Sequence, residues 1–223
     1  MTDATTPRFD TFVFDLDGTL LDTLPDLVVL TNAALNEQGF PSRTADEIHS
    51  FVGNGARALM YQAVPADASP EQAEAAMRRW MELYPVIGNK LTKPYPHMEE
   101  TLAALAQRGI GLGVLSNKFD QGVHDVIDAY LPGLFPVQYG ECDEIPRKPD
   151  PTGLLRCIDE LGSAPARTAY VGDSPGDVLV SRNAGAFAIG VSWGYHHADA
   201  LRKAGADVVI EDARELLQFA VER

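Results

Sequence analysis

Short apolar runs recur along this chain, and each breaks off at polar residues. They lie at 11–15, 111–115, 136–139, 169–172, 186–191 and 207–210. Segments with helical patterning separate most of them, at 98–107, 121–130, 152–161, 177–184, 198–203 and 213–221. Strands alternating with helices of this length imply a parallel sheet covered on both faces. The expected fold is α/β, a Rossmann-like doubly wound parallel sheet. Such sheets collect ligands beyond the carboxyl ends of their strands. The polar residues that end each run are therefore the first candidates for function.

One interval breaks the alternation. Between Asp22 and Pro96 there is no strand-like run. Leu27, Leu30, Ala34 and Leu35 recur near helical spacing, and Met77, Trp80, Met81 and Tyr84 form a second stripe. Thr44 with Glu47 three residues on reads as a capping box. A block of about 75 residues is too long for a loop. Residues 22–95 are thus expected to form a helical lid, inserted into a core made of residues 1–21 and 96–223. Turn-forming or stiff residues mark both crossings, Thr23-Leu24-Pro25 outbound and Lys93-Pro94-Tyr95-Pro96 inbound.

The 223 residues suffice for one large domain, or one domain with an insertion. A formal net charge of −14 argues against nucleic acid and anionic membranes as partners, since both call for clustered Lys and Arg. It also means that an anionic substrate must be attracted locally. No run approaches the ~18 apolar residues of a membrane helix. Residues 1–8 form a polar leader with no secretory apolar core, so the expected location is the cytoplasm. Cys142 and Cys157 fit no metal or CxxC pattern and read as free thiols of a reducing compartment.

The first apolar run ends in Asp15-Leu16-Asp17-Gly18-Thr19. A carboxylate can attack phosphorus and form an aspartyl-phosphate, provided it is fixed in line and its charge is offset by a divalent cation. A second carboxyl beside it can protonate the leaving oxygen and then deprotonate water. An EF-hand calcium loop is excluded, because its fifth and sixth positions would fall on Thr19 and Leu20. Ser116 and Asn117 end the second long run and can hold phosphate oxygens, as can Lys148 before Pro149. Asp173 follows Gly172 at another strand end, with Asp177 four residues later; carboxylates so placed suit Mg²⁺. Each feature has a plainer reading alone, as a turn, a solvated lysine or a helix cap; their joint occurrence at strand ends carries the signal. Gly53-Asn54-Gly55 before Arg57 is not a dinucleotide fingerprint, but two glycines at a helix start suggest close backbone approach to a ligand, with Arg57 entering from the lid. His196-His197 reads as packing at a pocket edge.

Together these residues resemble the four motifs of the haloacid dehalogenase-like phosphohydrolases: Phe14-Asp15-Leu16-Asp17-Gly18-Thr19-Leu20, Ser116-Asn117, Lys148, and Gly172-Asp173-Ser174 with Asp177. The stretches 51–59 and 191–195 look like those of phosphoglycolate phosphatases. The resemblance implies Asp15 as nucleophile and Asp17 as general acid and then base. It implies Mg²⁺ held by Asp15, Asp173 and the Asp17 backbone carbonyl, with Asp177 acting directly or through water. Ser116, Asn117 and Lys148 would hold the transferring phosphoryl group. Thr19 and Leu20 would begin a flap. Gly55 and Arg57 would contact the substrate from the lid. The implied activity is hydrolysis of a small organic phosphate, with 2-phosphoglycolate the best match. Pyrophosphatase, sugar-phosphate phosphatase or mutase activity is the alternative on the same fold. A receiver-like phospho-accepting module is a remote alternative, disfavoured by Asp17 and the lid. Monomer and homodimer both remain open.

Overall fold

The computed structural model describes residues 8–222; the expected leader therefore lies, but for Arg8, outside the described residues. Along the chain run β1 (Thr11–Phe14), β2 (Leu21–Asp22), α1 (Leu24–Glu37), α2 (Ala45–Phe51), α3 (Gly55–Ala63), α4 (Pro70–Ile87), β3 (Lys93–Pro94), α5 (Met98–Gln107), β4 (Gly111–Phe119) and α6 (Asp120–Tyr130). Then come β5 (Val137–Glu141), α7 (Thr152–Glu160), β6 (Thr168–Gly172), α8 (Pro175–Ala184), β7 (Phe187–Val191), α9 (Ala198–Ala204) and β8 (Val208–Ile210).

Six strands form one parallel sheet in the order β5-β4-β1-β6-β7-β8. Alternate side chains of a strand face opposite ways, and the two faces carry separate cores. Phe12 and Phe14 pack with Leu112, Val114 and Val171 under α5 and α6. Val13, Leu115 and Tyr170 pack against Leu154, Cys157 and Ile158 of α7. The chain adds β4 and β5 on one side of β1 and β6 to β8 on the other. The crevice at such a reversal is where a doubly wound sheet offers its ligand site.

The helices α1 to α4 have a core of their own, built on Leu30, Leu35, Ile48, Met60 and Trp80. The capping box of Thr44 and Glu47 is present at the start of α2. Met77 and Trp80 are buried as the stripe requires, whereas Met81 is largely on the surface. The two crossings pair as an antiparallel ladder of β2 with β3, Leu21 opposite Pro94 and Asp22 opposite Lys93. Two residues per strand are too few for a period-two pattern, so this pairing corrects the expectation of a strandless interval. Buried Asp26 ties the crossings further. Its carboxylate accepts the backbone N–H groups of Lys90 (3.0 Å), Leu91 (2.9 Å) and Thr92 (2.6 Å), and the Thr92 hydroxyl (2.8 Å).

Three other boundaries move. Pro136 has no N–H for a ladder, and β5 begins one residue later. The segment expected as a last α-helix is a 3-10 helix, Ala213–Gln218, after which Ala220 bridges to Phe9. The helix expected at 198–203 runs one residue further, as α9, with His197 at its N-cap.

Candidate active site

Asp15 stands one residue beyond β1, and its carboxylate accepts the Leu16 N–H at 2.8 Å. The turn that follows is tight: the N–H groups of Leu20 and Leu21 donate to the Leu16 carbonyl at 3.0 and 3.1 Å. Gly18 takes φ +82°, and a Cβ there would lie 2.6 Å from an Asp173 oxygen. Glycine thus serves both the left-handed turn and the close approach of the next acidic loop.

Lys148 Nζ lies between two carboxylates, 2.9 Å from Asp15 and 2.7 Å from Asp177, and donates to the Tyr170 hydroxyl at 3.0 Å. Tyr170 donates in turn to the Leu115 carbonyl at 2.7 Å. The ammonium is therefore fixed by three acceptors before any ligand arrives. Carboxylate oxygens of Asp15, Asp173 and Asp177 lie within 4.8 Å of one another, and all three residues are buried. Burial pushes the Asp15 carboxyl up to about 7; Lys148 pulls against this, while Asp177 and Asp173 add to it. Burial draws Lys148 down, but Asp15 and Asp177 more than offset it, so its ammonium stands above the ordinary lysine range.

Each acid of the cluster has distinct partners. Asp173 accepts the Thr19 hydroxyl at 3.0 Å and the Tyr195 N–H at 2.7 Å. Asp177, as expected, lies in the first turn of a helix beginning at Pro175. One of its oxygens accepts the Ser174 N–H (2.9 Å) and hydroxyl (2.7 Å) as a capping box, and the other faces Lys148. Asp17 stands apart. It accepts the Thr23 hydroxyl at 2.5 Å and the Lys118 ammonium at 3.2 Å, and its carboxylate is not among the three that cluster. Two neighbouring acids thus occupy different surroundings, which suits them to different tasks.

The strand β4 runs four residues past Leu115, with a register shift against β5 between Leu115 and Phe119. Ser116 and Asn117 consequently lie within the extended end of β4, which runs beyond the expected 111–115. Asn117 spends its side chain on protein. Its Nδ2 donates to the Gly53 carbonyl at 2.9 Å, and its Oδ1 accepts the Lys148 N–H at 2.8 Å. Phe119 packs edge-on to Tyr84 (centroids 4.8 Å apart) and joins the helical block's core.

A cavity lies between this strand end and the helices. Asp15, Asp17, Ser116 and Lys118 face it from the sheet, and Leu27, Val52, Leu59 and Trp80 from the helices. Gly55 lines it as expected, and a Cβ there would come within 3.0 Å of the Asn117 carbonyl oxygen. Arg57 does not line it. Its guanidinium pairs with Glu74 of α4, lies over the Tyr61 ring, and is 61% exposed. The expectation of Arg57 as a substrate contact is corrected: an acid on the neighbouring helix already satisfies it. The cation that does line the cavity, Lys118, carries no signal in the sequence reading, and Thr23 and Tyr195 figure there only in a crossing and a matched stretch. His196 sits at the cavity edge, with Nδ1 3.9 Å from Asp173, beyond hydrogen-bond reach.

A parallel doubly wound sheet with this acid, lysine and serine constellation defines a class, and sequence comparison agrees with it. The haloacid dehalogenase-like hydrolase profile matches residues 12–191, and the chain belongs to that family. It is 34% identical over 215 residues to the phosphoglycolate phosphatase of Vibrio cholerae, covering 93% of this chain and 95% of that one. It is 34% identical over 219 residues to the phosphoglycolate phosphatase of Pseudomonas putida, covering 96% and 79%. A solved structure described as a predicted phosphoglycolate phosphatase from Haemophilus somnus superposes with a TM-score of 0.87 at 28% identity, covering 94% of this chain and 97% of that one. The chain is a phosphatase of this family, and it resembles the phosphoglycolate phosphatases within it. Among the described residues, no helix is long and apolar enough to cross a membrane.

Proposed function

We propose that this phosphatase hydrolyses small phosphomonoesters through an aspartyl-phosphate on Asp15, with Mg²⁺ as cofactor and 2-phosphoglycolate as substrate. The observation that carries this reading is the division of labour between the two aspartates. Asp15 lies in the acidic cluster against Lys148, and Asp17 is held outside it by Thr23 and Lys118. An Asp15 oxygen attacks phosphorus, and the ester P–O bond breaks. Asp17 gives its proton to the departing alkoxide. Water then attacks phosphorus, Asp17 takes the proton back, and phosphate leaves with the Asp15 carboxylate restored. Lys148 and Ser116 hold phosphoryl oxygens. Asn117 contributes by fixing the Lys148 backbone.

The donor set fits Mg²⁺. Three buried carboxylates face one ammonium, all available donors are oxygens, and burial alone disfavours Asp15 as an anion. Asp15 and Asp173 would hold the ion with the Asp17 carbonyl, while Asp177, engaged by Ser174 and Lys148, acts from behind. When bound, the ion offsets the charge of the carboxylates and of the phosphoryl group. Residues 22–95 act as a cap that excludes water from the site while the ester leaves. The substrate assignment rests on the named relatives in Vibrio and Pseudomonas.

The test is phosphate release with Mg²⁺ across 2-phosphoglycolate, pyrophosphate, sugar phosphates and nucleoside monophosphates, compared by kcat/KM. Asp15→Asn must abolish turnover, and wild-type enzyme quenched during turnover must carry phosphate on Asp15 by mass spectrometry. An active Asp15→Asn variant refutes the mechanism. A flat profile, or a preference for pyrophosphate or a sugar phosphate, refutes the substrate.

A further inference from the structure

We infer that Lys118 is the specificity residue of this enzyme, pairing with the carboxylate of an anionic phosphate ester. The inference rests on the substrate class proposed above and asks which group recognises it. A carboxylate entering this cavity meets acids first, since Asp15, Asp17 and Asp173 all line it. The helical side offers no cation: its wall includes Leu27, Val52, Leu59 and Trp80, and Arg57 is turned away to Glu74. Lys148 already faces Asp15, Asp177 and Tyr170, and the proposed function assigns it to the phosphoryl group, not to the substrate's carboxylate. His196 lines the cavity, but its charge depends on pH.

Lys118 remains. Its side chain is 5% exposed, it lines the cavity, and its ammonium meets only the Asp17 carboxylate among the described residues, at 3.2 and 3.5 Å. An ammonium has three donors, and one long contact to a single carboxylate leaves capacity for a second anion. A buried cation beside a phosphoryl site discriminates in two directions. It favours an ester with a negative group near the phosphate, and it leaves an uncharged analogue to desolvate the ammonium without compensation. The sequence places this cation one residue past Asn117, so recognition of the leaving group is built into the core strand rather than into the cap.

The experiment compares 2-phosphoglycolate with ethyl phosphate, which carries a methyl in place of the carboxylate, for wild type, Lys118→Met and Lys118→Arg with Mg²⁺. Wild type is expected to prefer phosphoglycolate. Lys118→Met should lose about 10- to 100-fold more kcat/KM on phosphoglycolate than on ethyl phosphate, the effect of one charged hydrogen bond. Lys118→Arg should retain most of the preference. If Lys118→Met slows both esters equally and the preference survives, Lys118 only positions Asp17; this inference fails and the substrate reading stands. If wild type shows no preference for the carboxylate, the substrate reading fails and takes this inference with it. Should turnover by Lys118→Met be too slow to compare, calorimetric binding of both esters is measured in Asp15→Asn with and without Lys118→Met, or Lys118→Gln if the methionine variant does not fold. Loss of the affinity ratio supports the assignment, and its retention overturns it.

Discussion

Replacing Asn117 by alanine tests whether one amide joins the helical block to Lys148, the proposed phosphate-binding lysine. In the native structure its Nδ2 donates to the Gly53 carbonyl at 2.9 Å, and its Oδ1 accepts the Lys148 N–H at 2.8 Å. The two losses differ. Gly53 is exposed, so water can replace the amide there, at little more than the net worth of one hydrogen bond, about 1 kcal/mol. Lys148 is buried, and its N–H loses its partner where water does not reach, at about 1–3 kcal/mol. The sum is about 2–4 kcal/mol, which for a chain of this size lowers Tm by about 4–16 °C. Loss of the Gly53 contact should also weaken cap closure and raise KM, and the displaced Lys148 should lower kcat. Thermal melting and steady-state kinetics on the same preparation read both. Asn117→Asp separates them: it keeps an acceptor for Lys148 but sets an oxygen against the Gly53 carbonyl, so it should recover part of the lost Tm without recovering KM. An Asn117→Ala enzyme that melts within about 1 °C of wild type, with unchanged kcat/KM, would refute the reasoning.

Two further outcomes follow from burial. Asp15 titrates near 7 in the folded chain against 3.8 when unfolded. Between those values the native state holds a proton that the unfolded chain has released, so the metal-free protein should lose stability as pH rises from about 4 to 7. The Mg²⁺ of the proposed site would bind the carboxylate form and should restore stability most at the upper end; melts in EDTA and in Mg²⁺ at pH 5 and 7.5 check this, and a Tm in EDTA that rises across the window contradicts it. Burial pushes the Cys157 thiol up to about 12, whereas Cys142 is exposed. Ellman's reagent at pH 8 should therefore titrate one thiol in the native protein and two in denaturant; two fast native thiols would contradict the packing of α7.

Much of this architecture is legible in the sequence where a short-range rule governs it. Phe12, Val13 and Phe14 announce a strand because each is apolar, and they are so because both faces of a central parallel strand are buried. The cap at Thr44 is a local hydrogen-bond pattern, readable from residues three apart. Asp15 and Asp173 could be picked out because polar groups at the ends of apolar runs have few other reasons to be there. What escaped notice depends on distant partners. Arg57 looks free in the sequence; Glu74, 17 residues on and in another helix, neutralises it. Thr23 looks like a turn residue until the fold brings it to Asp17. The sequence reading ends this strand at Leu115, where the apolar run stops, whereas β4 continues through polar Ser116-Asn117-Lys118 to Phe119, which pairs with Glu141.

That misread strand end explains how closure and chemistry can be coupled without a long relay. Four successive residues take four roles. Ser116 faces the cavity beside Asp15; Asn117 holds Gly53 of the cap and Lys148 of the core; Lys118 meets Asp17; Phe119 packs among the cap's own aromatics. All four line the cavity, where β4 shifts register against β5, so one short segment touches the helical block and the candidate reacting groups together. A helix would spread the same four side chains around its axis, and a flexible loop would not hold them in register. If the helical block opens as the proposed cap, the movement must disturb Asn117 and Phe119, and through their shared backbone Ser116 and Lys118. The geometry of the proposed phosphate site would thereby depend on the helical block, which is what the proposed water-sensitive acyl phosphate requires.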